Sequence, residues 1–119
     1  MTAQPPVTRR GTGPDGEAVF ALAVEAALPA FQGHFPGDPL LPGVIQVDWA
    51  IRLGQEAYGD LGAFRGLEQV KFLRPVRPGT GLELRLALEP GAGGRRLRFQ
   101  YLDPAGRVSS GTVQFQNQS

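Results

Sequence analysis

Leu82, Leu84, Leu86 and Leu88 alternate with Glu83, Arg85, Ala87 and Glu89, the period of a strand with one buried face. The same period returns in Leu97, Phe99 and Tyr101, set against Arg96, Arg98 and Gln100. It recurs over residues 108–116, with Val113 and Phe115 inward, and over 17–25, with Phe20, Leu22 and Val24 on one side and Val19, Ala21 and Ala23 on the other. A further strand is predicted over 64–73, closed by the run Arg74-Pro75-Val76-Arg77-Pro78-Gly79. Turns at 90–94 and 103–106 suggest an antiparallel meander.

Residues 43–58 follow a different rule. At 100° per residue, Val44, Val47, Ala50, Ile51, Leu53, Ala57 and Tyr58 share one broad arc, with Gly54 inside it. Asp48 falls at its margin, beside Val44 and Ile51. Ile45 and Trp49 lie on the opposite side among Arg52 and Glu56, so this helix is expected to be wrapped on more than one side. Gly59 stands in the usual glycine position after a helix. One strand, one helix and four strands predict an α+β domain, an antiparallel sheet wrapped around a central helix. Residues 1–16 lack periodicity and are expected to form a flexible N-terminal arm, with 17–119 as the single domain. Covering the free edge of such a sheet across a two-fold axis would make a homodimer.

Composition narrows the function. A net charge of +1 gives no reason to expect nucleic acid or a membrane surface as a partner. No apolar run approaches the roughly 18 residues of a membrane span, and 1–16 has no signal-peptide core, so a cytoplasmic protein is expected. With no cysteine and one histidine, neither a disulfide nor a dedicated metal site is expected. Glycine and proline are abundant, 17 and 11, but they fall between the patterned segments and act as punctuation.

The one histidine, His34, lies in a loop punctuated by Pro36, Pro39 and Pro42, fourteen residues before Asp48. These prolines bias their neighbours toward extended conformations, so 34–41 is not helix interior. Pro42 suits a helix start, where its missing N–H costs nothing. A rigid loop with a titratable base, then a helix N-terminus, then a carboxylate, is a plausible active site. Taken singly, each residue has an ordinary reading. A loop histidine is usually exposed or satisfied, a helix aspartate solvated, Gly37 and Gly43 turn formers, and Trp49 core or interface packing.

The run GHFPGDPLLPGVIQVDWA, 33–50, resembles the signature of the β-hydroxyacyl-(acyl carrier protein) dehydratases, a hotdog-fold family. FLRPVRPG, 72–79, is similar to that family's second familiar segment, and the likeness extends over about residues 17–116. The resemblance implies a lyase that reversibly removes water from a 3-hydroxyacyl thioester to give the trans-2-enoyl thioester, without cofactor. It implies that His34 takes the α-proton and that Asp48 protonates the departing hydroxyl, directly or through a water. The Gly43 backbone N–H would hold the thioester carbonyl, with Val44 and Phe35 against the substrate. It also implies a site shared between two subunits, in a homodimer or a higher oligomer, and an acyl carrier protein as partner. Lys71, Arg74 and Arg77, with Arg65, would be the basic rim that receives an acidic carrier. Most of the larger branch has glutamate where this chain has Asp48. Aspartate is typical of the branch that also isomerises the double bond and of dehydratases of aryl-polyene-type pathways, and the wording VIQVDWA is closest to the latter. Thr80 stands where an aspartate is common.

The residues suit that chemistry. A histidine titrates near working pH, and a helix-start N–H can stabilise an enolate-like oxygen. An acid must hold its proton, and the apolar margin on which Asp48 lies is expected to help it do so. Two other readings remain from the residues alone. A hotdog thioesterase would use the helix carboxylate to activate water and would not need His34. A non-catalytic acyl- or carrier-binding domain would not need the intact set of His34, Gly43 and Asp48.

Overall fold

The computed structural model describes residues 4–25 and 40–117. Its elements are β1 (Val7–Thr12), β2 (Ala18–Val24), α1 (Gly43–Tyr58), β3 (Ala63–Phe72), β4 (Thr80–Gly91), β5 (Gly94–Asp103) and β6 (Gly106–Gln116). The strands form one six-stranded sheet in the order β1-β2-β4-β5-β6-β3, every neighbouring pair antiparallel. The helix packs against the middle of the sheet, on β4 and β5. The expected α+β architecture is present.

Register explains why the alternating residues agree. Phe20 pairs with Leu84, Leu84 with Tyr101 and Tyr101 with Ser109, a row across four strands whose members are all buried. Leu86, Phe99 and Gly111 form a second row. Gly111 must lack a side chain, because a Cβ there would come within 2.8 Å of Val70 Cγ2 and 2.9 Å of the Phe99 ring. Each fully buried leucine of these rows stabilises the fold by roughly 1.5–3 kcal/mol relative to exposure.

The helix ends as expected. Gly59 takes φ 81° and its N–H donates to the Gln55 carbonyl at 2.8 Å. Its faces differ from the predicted arc. The buried side is Gln46, Val47, Trp49, Ala50, Leu53 and Gly54, while Val44 and Ala57 are exposed. Trp49, placed by periodicity on the far side, is wholly enclosed in the core. Hydropathy alone misjudged the face because Gln46 is polar yet central to it. Its side chain accepts from Ser109 Oγ at 2.7 Å and donates to the Leu41 carbonyl at 3.3 Å, which offsets the cost of burying an amide. Gly54 lets helix and sheet approach closely, since a Cβ there would lie 2.6 Å from Leu97 Cδ2.

The expected flexible arm is corrected in part. Within 1–16, Val7–Thr12 is the strand β1, paired to β2 from Val7↔Leu22 to Thr12↔Ala18. It was invisible to patterning because only Val7 is partly covered and the other five residues are exposed. Backbone pairing holds it, not a buried face. Arg9 and Arg10 on this outermost strand also discourage further strand addition.

Candidate active site

Pro42 is the N-cap of α1, in extended conformation, and among the described residues no side chain caps this end. The Pro42 carbonyl accepts from the N–H groups of Ile45 and Gln46 at 3.1 and 3.2 Å. Among the described residues, the N–H groups of Gly43 and Val44 have no acceptor outside the helix. Among the described residues, these two donors at the positive end of the helix are open to an incoming oxygen.

The end is held rigidly. Tyr101 Oη donates to the Gln46 carbonyl at 2.7 Å, and the Leu41 N–H donates to the Val76 carbonyl at 2.8 Å. Burial pushes the Tyr101 phenol well above its ordinary range, with the negative charge of Asp48 adding to the effect. Tyr101 therefore stays a neutral donor. Sequence reasoning missed this network, although buried Gln46 opposite Ser109 and Tyr101 is what positions the helix start.

Beside the helix lies an apolar groove of about 460 Å³. Gly43, Val44, Val47, Asp48 and Ile51 form one wall, and Phe64, Leu67, Val70 and Phe72 of β3 form the other. The second apolar stripe of the helix, which periodicity merged into the core arc, is this wall. Among the described residues, Asp48 is the single ionisable group lining it. Its Oδ2 lies 3.0 Å from Arg52 Nε, one turn on. The groove is open to solvent on one side, with Val44 74% exposed and Phe64 58% exposed.

A bulge shapes the β3 wall. The register with β6 slips between Glu68 and Lys71, and Gln69 takes φ 52°, an unusual conformation for a side-chain-bearing residue. Val70 faces the groove, and Lys71 lines a shallow polar depression on the other side of the sheet with Arg85, Arg98 and Arg107.

The structure thus brings Gly43, Val44 and Asp48 onto one groove. His34 and Phe35, with the rest of 26–39, lie outside the described residues. The three proposed docking cations are dispersed. Arg77 is exposed and Lys71 faces the far side of the sheet. Arg74 grips Asp103 with two hydrogen bonds of 2.9 and 2.6 Å and donates to the Gly106 carbonyl at 2.9 Å, tying the 72–79 segment to the β5–β6 turn. These bonds hold the Asp103 carboxyl below its ordinary value of 3.8. Thr80 closes the end of the segment by donating to the Arg77 carbonyl at 2.7 Å.

Gly43 is also a packing requirement. A Cβ there would come within 2.6 Å of the tip of the Phe72 ring. Gly43→Ala is expected to displace that half-exposed ring from the groove and lower kcat about tenfold or more on a 3-hydroxyacyl thioester. Melting temperature, measured alongside, should change little; an active variant with a moved ring would show that Phe72 does not shape the site.

A six-stranded antiparallel sheet wrapped on one helix, with an acid from that helix in an apolar groove, defines a hotdog domain. The structural relatives agree. The dehydratase heterocomplex ApeI:P from Xenorhabdus doucetiae superposes with a TM-score of 0.83 at 32% identity, covering 94% of this chain and 97% of that one. A protein from Erwinia carotovora follows at a TM-score of 0.77 and 30% identity, covering 94% and 95%. The family model of ApeI-like proteins, described as ApeI dehydratase, matches residues 11–112. The chain belongs to the ApeI-like dehydratase family. It is also 40% identical over 83 residues to the 3-hydroxyacyl-[acyl-carrier-protein] dehydratase FabZ of Chloroflexus aggregans, a match spanning 64% of this chain and 58% of that relative.

Proposed function

We propose that the chain catalyses reversible dehydration of a 3-hydroxyacyl-(acyl carrier protein) thioester to the trans-2-enoyl thioester. The observation that carries this is the placement of Asp48 in an apolar groove beside the N–H donors of the helix start, in a member of a dehydratase family. In this reading His34 removes the α-proton, and the electron pair moves onto the thioester carbonyl oxygen, held by the Gly43 N–H. The pair then returns to form the C2–C3 double bond as the C3–O bond breaks. Asp48 gives the leaving hydroxyl its proton, so that water departs. The chemistry is proton transfer and elimination, with no change of oxidation state and no cofactor.

The groove accounts for an acyl chain, which needs an apolar wall and few polar contacts. Its open side supports a second subunit. Phe64, Leu67 and Phe72 are about half exposed on β3, a strand hydrogen-bonded on one side alone among the described residues. A second copy pairing there would close the groove and supply His34 from the other chain. The ApeI relative is described as a heterocomplex, which supports a second reading in which a different hotdog chain fills that place. Cytoplasmic aryl-polyene-type synthesis is the setting proposed, on the wording around Asp48 and the family match. Arg77, exposed within the 72–79 segment, is the cation left to receive an acidic carrier, since Lys71 lies on the far face of the sheet.

Mass spectrometry of a panel of 3-hydroxyacyl-carrier-protein thioesters tests the reaction. Loss of 18 Da, the mass of water, is the expected result. Free acid would identify a thioesterase, and unchanged substrate at every chain length would leave a binding domain.

A further inference from the structure

Asp48 and Arg52 stand one turn apart on α1, with Arg52 Nε 3.0 Å from Asp48 Oδ2 and both side chains about a third exposed. On a solvated helix face such a pair contributes little. This one differs in its surroundings. Oδ2 is itself sealed from solvent, and among the described residues no hydrogen-bond donor is aligned on it. The short approach of Arg52 is therefore a charge contact without a directed N–H. Val44, Val47 and Ile51, which line the groove with it, offer no polar side chain.

We propose that Arg52 is a positioning residue for elimination. It draws the unprotonated Oδ2 to the helix side and leaves the acid's proton on Oδ1, the oxygen that serves the substrate hydroxyl. The inference rests on the dehydratase reading above and adds to it the residue that orients the acid. Arginine suits the task because its charge is permanent and its planar group approaches a carboxylate in few orientations. Misplacing a reacting group by about 1 Å costs on the order of 100-fold in rate, so a weak ion pair can still have a large kinetic effect.

The test compares wild type, Asp48→Asn, Arg52→Gln and Arg52→Lys on one 3-hydroxyacyl-carrier-protein thioester, with melting temperature and a crystal structure for each. Arg52→Gln is expected to lose roughly 10- to 100-fold in kcat, with KM within about twofold and the fold intact. Arg52→Lys, which keeps the charge, should recover part of that loss. In crystals of Arg52→Gln the Asp48 carboxyl should rotate away from its wild-type orientation. Wild-type kcat in Arg52→Gln, beside an inactive Asp48→Asn, would overturn the positioning role and leave the dehydratase reading intact. A kcat loss matched by a fall in melting temperature would make Arg52 merely structural. If the wild type eliminates no water, the dehydratase reading fails instead. An unchanged Asp48 orientation in the Arg52→Gln crystal overturns the positioning role whatever the activity.

Discussion

Asp48→Asn is expected to lower dehydration of 3-hydroxyacyl thioesters by about 10²–10⁴-fold, the usual contribution of a positioned acid or base. The amide has nearly the same size and shape, so Val44, Val47 and Ile51 keep their packing. What it lacks is a proton acidic enough to follow the leaving oxygen. Stability should hardly change. The pair with Arg52 is a partly exposed i,i+4 contact of the kind that contributes only about 0.3–0.5 kcal/mol. A stopped assay on folded protein, with KM measured separately, checks both points. Retained turnover in Asp48→Asn would remove the acid role, and hydrolysis lost in place of dehydration would convert the site to a thioesterase. His34→Ala, on the same reasoning, should lose a similar factor, because no other group in the sequence titrates near neutral pH as an imidazole does.

Strand alternation was legible where one face is buried and the other wet. Leu82, Leu84 and Leu86 are enclosed, with Glu83 and Arg85 between them paired to each other on the outside. The helix bounds were legible for a related reason, since Pro42 and Gly59 are chemical stop signs whatever surrounds them. β1 was not, because an edge strand held by backbone pairing leaves no hydrophobic signature. Gln46 was not, because its burial depends on Ser109 and Tyr101, more than fifty residues away. Asp48 and Gly43 could be read from the motif, and both line one wall of the groove. Its other wall, Phe64, Leu67 and Phe72, had only half-exposed hydrophobes on an otherwise polar strand as a signal. Arg74 looked like one more surface cation, yet it is spent on Asp103.

Leu67→Asp is expected to abolish activity without unfolding the chain, because β3 is the strand through which a second subunit would complete the site. Leu67 is about half exposed, so its replacement removes little core. A carboxylate on an edge strand opposes pairing with another copy, both by desolvation and by repelling its symmetry mate. Sedimentation should show a monomer with wild-type circular dichroism, and turnover should fall by about 100-fold or more once the groove opens to water. The sharing of residues can be separated from mere stabilisation by mixing. Asp48→Asn and His34→Ala chains, each inactive alone, would form mixed dimers in which one of two sites draws its histidine and its aspartate from intact copies. Random exchange should then restore about a quarter of wild-type activity. No recovery on mixing, with exchange verified, would place both groups in one chain and make the edge a structural contact. A wild-type chain that sediments as a monomer and is inactive alone would favour the other reading, in which β3 awaits a different hotdog subunit carrying the missing half of the site.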